Sequence, residues 1–293
     1  MAEGRRIIQW LALLSNNAYL KGFLNGRVYR GSLKRVCVPG LNCYACPGAV
    51  GSCPLGSLQG ILGAYQYKFS FYVIGLMMAF GLMFGRFVCG FLCPFGLIQE
   101  LLHRVPFLKY MRENPLTRRL RAVKYVLLAV FVIGLPLLFR NEMGLGDPAF
   151  CKYICPAGTL FGGAPLLVAN PPLREAAGTL FVLKSTIAIA VVTACLSIYR
   201  AFCKFLCPLG AFYAMFGKIS LYRLHLCESD CVHCGKCAEI CKMGVNPSKE
   251  PDSHECIRCG DCVKACPAKA LRAGFELCAK SEPKAGRSTG VRL

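Results

Sequence analysis

Eight cysteines near the C-terminus fall into two runs of identical spacing. Each run reads C-x2-C-x2-C-x3-C, and the second begins 25 residues after the first. Three closely spaced thiolates can bind three irons of one [4Fe–4S] cluster, while the fourth cysteine of the run reaches the other cluster. We therefore predict two clusters, bound by Cys231, Cys234, Cys237 and Cys266, and by Cys256, Cys259, Cys262 and Cys241.

Disulfides and zinc are the alternatives for these two runs. Disulfides are disfavoured because this part of the chain is predicted to lie in a reducing compartment. Zinc sites are usually built from paired C-x2-C elements rather than two runs of four cysteines. Gly235 and Gly260 give the ligand loops room to turn, and the lysine after Cys241 should affect the turn more than the ligation.

A second cysteine motif recurs upstream. Residues 85–96 read GRFVCGFLCPFG and residues 199–210 read YRAFCKFLCPLG, with identity at seven of twelve positions. Cysteines four residues apart share one helical face, and the proline that follows forces a turn. We predict a third [4Fe–4S] cluster bound by Cys89, Cys93, Cys203 and Cys207. The alternative is duplicated helix packing, with cysteine as a small buried residue.

The other closely spaced cysteines lie in VCVPGLNCYACPGAVGSCPLG, residues 36–56, and in CKYICPAG, residues 151–158. We predict that they form a fourth cluster site on the opposite membrane face. Its core is predicted to be Cys43, Cys46 and Cys53, completed from Cys151 and Cys155. Disulfides and free or catalytic thiols stay open as alternatives, because this face is predicted to be oxidising. We assign no role to Cys37, Cys195, Cys227 or Cys278.

The elements that must position these motifs are strongly apolar. The 293 residues are 55% hydrophobic and 17% charged, against about 25% charged in an average soluble domain. Uncharged windows over 69–85, 125–139 and 185–199, preceded by a weaker segment over 7–20, approach the roughly 20 residues of a spanning helix. Buried core helices are the alternative, and 7–20 could also be read as a signal peptide.

These windows predict an all-α transmembrane bundle of about four helices over residues 1–223. A ferredoxin-like α+β domain with two clusters is expected over 224–275, and a flexible tail over 276–293. On this arrangement the helix over 69–86 separates the two membrane faces by about 27 Å. That distance is long for one electron hop, so a quinone, a tilted arrangement or a partner cofactor is needed to shorten it.

The distribution of basic residues predicts the orientation. Eight Lys and Arg residues lie in 86–124 and only three in 140–178, which places the first loop and the ferredoxin-like domain in the cytoplasm. Four basic residues between 27 and 35 oppose this topology, because they fall in a loop placed outside. Nucleic-acid binding is another common reading of a net charge of +20. We do not predict it, because the basic residues flank apolar helices.

The sequence offers no recognisable catalytic residue. None of the four histidines lies in an apolar window, so a haem held between membrane helices is not expected. The sequence also lacks a P-loop and a glycine-rich dinucleotide motif. Whether the protein is itself an enzyme is therefore left open.

At its cysteine motifs the chain resembles the NapH/MauN-type ferredoxin-like membrane proteins. The resemblance rests on CVPGLNCYACPGAVGSCPLGSLQ, GRFVCGFLCPFGLIQ, YRAFCKFLCPLGAF and the tail with CKMGVNP, and extends from about Arg5 to Ala270. The wider polyferredoxin group includes the nitrous-oxide-reductase regulator NosR and the copper-reducing assembly factor CcoG. The resemblance implies a four-helix protein of the bacterial inner membrane with both termini in the cytoplasm. The flavin domain of the NosR type is absent, so flavin is not implied.

Two functions follow as hypotheses. The first is an electron-transfer subunit of a quinol-linked oxidoreductase system, with membrane lipid, quinol or a cytoplasmic donor, and a partner redox protein as its partners. The second is a maturation or reactivation factor that reduces a metal centre or thiols of a client enzyme. The surplus of cysteines on the outer face favours the second hypothesis, and the series of cluster motifs favours the first.

Overall fold

A computed structural model describes residues 2–67, 69–106, 115–142, 144–175 and 177–275. The fold is mostly helical, with one two-stranded sheet. The segment over 276–293, predicted to be flexible, lies outside the described residues, as do Lys109 and Arg112 of the loop over 86–124.

We call the segment over 224–275, predicted to be ferredoxin-like, the tail domain. The α-helices that precede it are Ala2–Asn16, Lys21–Asn25, Pro54–Gly63, Phe71–Phe84, Phe87–Phe91, Pro94–Leu102, Pro115–Leu120, Val123–Leu127, Leu135–Leu138, Ala164–Ala169, Pro171–Glu175, Thr179–Ser197, Ala201–Phe205 and Pro208–Met215. Helical turns of π geometry cover Leu128–Gly134, Phe150–Ile154 and Gly158–Gly163. Short 3-10 helices cover Ser32–Arg35 and Glu228–Asp230.

Two helices within the described ranges are long and apolar enough to cross a membrane. They are Thr117–Leu138 and Thr179–Ser197, and only 28% and 17% of their most apolar stretches are buried. Both coincide with predicted windows. The other two predicted segments form helices of 15 and 14 residues, Ala2–Asn16 and Phe71–Phe84, which are shorter than the roughly 20 residues of a spanning helix.

Four Cys-Pro pairs share one local structure. Cys53, Cys93, Cys155 and Cys207 all have extended backbone, with ψ between 109° and 129°. A residue before proline is pushed out of the helical region, whereas proline itself fits the first position of a helix. The expectation that the paired cysteines share one continuous helical face is therefore wrong. In both copies of the duplicated motif, the first cysteine, Cys89 or Cys203, lies on a short helix. The second cysteine, Cys93 or Cys207, lies in the extended link to the next helix.

The tail domain is closed by its two strands. Arg223–Leu226 pairs with Leu271–Gly274 in antiparallel register, and the short helices Lys236–Glu239 and Asp261–Ala265 lie between the strands in the chain. Gly235 and Gly260 precede these helices with φ of 76° and 80°. This left-handed backbone costs glycine little, so the two residues provide the predicted turns of the cysteine loops.

Candidate functional site

The eight tail cysteines line two separate cavities. Leu226, Ser248 and Leu271 help to line one of them, and Tyr199, Leu224 and Ile257 help to line the other. The cysteines of the first cavity are Cys231, Cys234, Cys237 and Cys266. Those of the second cavity are Cys241, Cys256, Cys259 and Cys262. Each cavity thus receives three cysteines from one run and the fourth from the other run, the two sets that the spacing predicts.

The four cysteines of the duplicated motif meet in the helical core, and we call this group the inner thiol site. Its members, all between 4% and 6% exposed, are Cys89, Cys93, Cys203 and Cys207. The thiol of Cys207 lies close enough to the Cys203 thiol to interact with it electrostatically. Those of Cys89 and Cys93 lie close enough to interact electrostatically with the Cys203 thiol. The two motif copies therefore supply two thiols each to one group.

Two buried arginines link the copies reciprocally. Arg86, from the first copy, donates to the Cys203 carbonyl oxygen at 3.4 Å. Arg200, at the equivalent position of the second copy, donates to the Cys89 carbonyl oxygen at 2.6 Å. Both arginines are at most 1% exposed. Two positive charges therefore lie beside the inner thiol site, where they favour the thiolate forms.

A second group of thiols, which we call the outer thiol site, lines a cavity of about 300 Å³. Its cysteines are Cys43, Cys53, Cys151 and Cys155. Cys46, predicted as a core member of this site, does not line the cavity. Its thiol interacts instead with Cys43 and Lys34, because the chain turns between Cys43 and Ala49. The prediction is therefore corrected to two cysteines from each of two segments.

The inner and outer thiol sites belong to one continuous core. The loop between them runs inward, so that a Cβ atom added to Gly40 would lie 2.9 Å from the Cα atom of Cys93. The predicted separation of these sites by about 27 Å, the length of a membrane helix, is therefore wrong. The error arose because an uncharged loop was assigned to one membrane face, whereas it packs into the core.

Tyr213 lies near thiols of both sites and is fully buried. Its hydroxyl donates to the Pro39 carbonyl oxygen at 2.9 Å, which fixes the loop that carries Cys37. Burial raises the pKa of the Tyr213 phenol, and thiols from both parts of the core raise it further, namely Cys89, Cys37, Cys93 and Cys53. A polar side chain thus lies near both thiol sites, and the sequence alone assigned it no role.

Two glutamines occupy matching positions beside these sites. Each is the last residue of a C-P-x-G-x-x-Q pattern, which runs from Cys53 to Gln59 and from Cys93 to Gln99. Both glutamines are at most 1% exposed. The shared pattern was the signal in the sequence that could have revealed them.

Gln59 connects its segment to the partner segment of the outer thiol site. Its Nε2 atom donates to the Cys151 Sγ atom at 3.2 Å. Its Oε1 atom accepts the Phe150 backbone N–H at 3.0 Å. The side chain therefore uses both ends to hold one predicted ligand.

Gln99 makes the equivalent contacts in the inner thiol site. Its Nε2 atom donates to the Cys203 Sγ atom at 3.1 Å, and its Oε1 atom accepts the Phe202 backbone N–H at 3.1 Å. Cys195 donates its S–H to the same oxygen at 3.6 Å. This contact gives the buried Cys195 a supporting position next to the thiol site rather than a place in it.

The tail domain docks on the inner thiol site through Glu255, the residue before Cys256. Its carboxylate accepts from Arg86 at 2.9 Å and from Lys124 at 2.5 Å. Burial opposes ionisation, but these two cations lower the pKa of Glu255 to about 2. Arg86 therefore contacts the tail with its side chain while it also contacts the inner thiol site.

Two further contacts bring the second tail cavity close to the inner thiol site. The Ile257 carbonyl oxygen would lie 2.5 Å from a Cβ atom added to Gly90, so only glycine fits there. Arg258 donates to the carbonyl oxygens of Phe84 at 2.6 Å and Gly217 at 2.8 Å. The loop that carries Cys256 and Cys259 is thus held against the helices.

The chemistry of these groups fits iron–sulfur clusters. Within the described residues, no three His, Cys, Asp or Glu side chains converge on a position for a single metal ion. A [4Fe–4S] cluster is held by four cysteine thiolates, and because each thiolate binds a different iron, the ligands surround a volume rather than a point. Three of the groups line cavities in this way, with four thiols around each.

Comparison with known families supports the same chemistry. A family described as "4Fe-4S binding domain" matches residues 69–112, 125–167 and 180–226. A second family with the same description matches residues 250–272. These matches support [4Fe–4S] clusters in the chain. Each of the first three matches contains one C-x3-C-P motif, so the apolar part includes three segments that match the same family.

The curated relatives match shorter stretches. The methylamine utilization ferredoxin-type protein MauN of Methylorubrum extorquens is 46% identical over 43 residues, which cover 14% of this chain and 15% of that protein. The uncharacterized protein MJ0749 of Methanocaldococcus jannaschii is 30% identical over 70 residues, covering 24% of this chain and 28% of the relative. The matches thus span less than a third of both relatives.

A longer match is to the uncharacterized protein MJ0750 of the same archaeon. It is 28% identical over 187 residues, which cover 64% of this chain and 71% of the relative. No solved structure matches the chain.

Proposed function

We propose that this protein is a membrane-bound iron–sulfur protein that transfers electrons between the quinone pool or a cytoplasmic donor and a partner redox enzyme. The iron–sulfur ferredoxin-like domains indicate electron transfer. The observation that carries the proposal is the order of the four cysteine groups through the molecule. Each cluster, when bound, would accept and release one electron at a time.

The order of the groups follows from their shared neighbours. The two tail cavities exchange their fourth cysteines, Cys241 and Cys266. The second tail cavity adjoins the inner thiol site, because Arg86 contacts both Glu255 and Cys203. Tyr213 then lies near thiols of both the inner and the outer thiol site. This continuous series supports a path for electrons from the tail to the outer thiol site, or in the reverse direction.

We further propose that about four helices cross a bacterial inner membrane, with the tail domain in the cytoplasm. Two apolar helices of sufficient length support membrane association. The Phe71–Phe84 helix, although shorter, exposes 75% of Phe71 and 51% of Tyr72, which suits a lipid environment. The basic residues in 86–124 support the orientation.

The test is the cluster content of the full chain, purified anaerobically in detergent. Four clusters correspond to about 16 iron atoms per chain. We expect this content, with matching sulfide, and reduction of the clusters by a quinol analogue or by dithionite. A content of about eight iron atoms would leave only two clusters and contradict the proposed path.

One observation favours the second candidate function, a maturation or reactivation factor. Cys43 and Cys151 in the outer thiol site are only partly buried, so a client metal or thiol could reach them. In a deletion strain, this function predicts that the client enzyme is made but inactive while bulk electron flow continues. Loss of bulk electron flow instead favours the electron-transfer function.

Replacing Gln99 by leucine is expected to lower the reduction potential of the inner cluster by about 40 mV. Hydrogen bonds to the ligand sulfurs help set cluster potentials, and a donor stabilises the more negative, reduced form. One such bond contributes about 1 kcal/mol, and 59 mV corresponds to a tenfold change in a one-electron equilibrium. An EPR-monitored redox titration measures the shift. Gln59→Leu is the matched control, since it should shift only the outer cluster.

A further inference from the structure

A cavity of about 240 Å³ differs in chemistry from the four cysteine groups, because many of its lining side chains are basic. It shares one lining residue, Cys241, with the second tail cavity. It forms where the helix Ala2–Asn16, the residues after the helix Thr179–Ser197 and the tail domain meet. Its lining contains five basic side chains, from four separate parts of the chain: Arg5, Arg6, Arg104, Lys204 and Lys242. We call it the basic cavity.

The acidic residue in this lining, Glu100, is already bound by neighbours. Its carboxylate accepts from Arg5 at 3.1 Å, from Arg200 at 2.9 Å and from the Tyr199 hydroxyl at 2.7 Å. Glu100 supplies one negative charge against the two arginines that it contacts, so it does not offset the charge that Arg6, Arg104 and Lys242 add to the lining.

Arg5 supplies an independent observation that points to a ligand. The residue is only 7% exposed, and one of its nitrogens, Nη2, donates to Glu100. Its Nε and Nη1 atoms are buried and have no hydrogen-bond partner among the described residues. Buried polar groups are normally hydrogen-bonded, and a charged group without partners is costly. An arginine in this state, at the wall of a cavity, is suited to receive an anion.

We propose that the basic cavity binds a phosphate-bearing anion. Arginine matches phosphate oxygens through paired N–H donors, and lysine adds charge without directional demands. Basic pockets at the cytoplasmic ends of membrane helices bind the headgroups of anionic lipids, and a soluble phosphate compound offers the same chemistry. Both sources bring oxyanions that can accept from Arg5 and offset the charge of its neighbours.

The basic cavity adjoins the second tail cavity, which is one of the predicted cluster sites. Cys241 and Lys242 line the basic cavity, and Cys241 also lines the second tail cavity. The Lys242 Nζ atom lies 5.6 Å from the centre of the Tyr199 ring. A bound anion would therefore lie at the junction of the tail domain and the helices, where it would connect basic residues of both.

The test measures binding to the full chain in detergent after lipid removal. Native mass spectrometry is used with cardiolipin and phosphatidylglycerol, with phosphatidylcholine as the lipid lacking net charge. Calorimetry is used with inorganic phosphate and pyrophosphate. Binding of the anionic lipids alone identifies a headgroup site, and binding of the soluble phosphates identifies a site for a soluble phosphate compound. Failure of all four anionic probes to bind would overturn the proposal.

Variants distinguish binding in the basic cavity from nonspecific attraction to the positively charged protein. Arg104 and Lys242 are both exposed, so the double variant R104Q/K242Q should fold, as unchanged iron content and unfolding temperature would verify. Affinity should fall about fivefold per charge removed, hence about 25-fold for the double variant. Lys249→Gln, an exposed charge outside the cavity, should leave affinity unchanged. Equal losses for K242Q alone and K249Q would assign binding to nonspecific charge and refute the site.

Discussion

Replacing either Cys89 or Cys203 by serine should remove about four iron atoms from the purified protein, and replacing both should remove little more. The structure brings these residues together from motif copies that lie far apart in the sequence. If their thiolates hold one cluster, loss of either ligand removes the same four irons. Iron and sulfide analysis of the two single variants and the double variant measures this non-additivity.

Cys195→Ser is the matched control for these variants. Cys195 is fully buried and lies next to Gln99, but it does not belong to the inner thiol site. Its replacement should leave the iron content unchanged. The shared site is wrong if the Cys89 and Cys203 losses add to about eight irons, or if the single variants keep all their iron.

Replacing Glu255 by glutamine should destabilise the docking of the tail domain by about 3 kcal/mol. The change removes a carboxylate that lies between Arg86 and Lys124 and leaves Arg86 buried next to the thiols without its anionic partner. We expect faster hydrogen exchange in the loop around Ile257 and earlier proteolytic release of the tail. Both are measured on the full chain.

Asp252→Asn provides the control for Glu255→Gln. Asp252 lies 4.0 Å from Arg223, and both side chains are about one-third exposed. Exposed ion pairs of this kind contribute about 1 kcal/mol or less. If the two variants release the tail at the same rate, Glu255 does not anchor the domain.

The sequence was most informative where ligands follow a local spacing. The two tail sets could be predicted because short loops force three cysteines of a run into one cavity. The inner thiol site could be predicted because its motif is duplicated, although its paired cysteines do not share one helical face. Proline pushes Cys93 and Cys207 out of the helix, and the thiols meet because two helix ends meet.

The sequence was least informative where one loop carries several cysteines and only some of them line a site. Cys46 looks equivalent to Cys43 in the sequence, yet only Cys43 faces the outer cavity. The depth of that loop was also misjudged, since an uncharged segment can lie at an interface or inside a core. Tyr213 acts through contacts with residues far away in the chain, and no local pattern marks it.

Every cysteine group of this protein combines an earlier and a later part of the chain, which fixes an order for its biosynthesis. The outer group becomes complete when the ribosome has added Cys155, the inner group at Cys207, and the tail groups at Cys262 and Cys266. Until then the nascent chain carries half-built sites with unpaired thiols. If these groups hold clusters, iron and sulfide are delivered only after the last ligand has been made, and the earlier thiols must stay reduced until then.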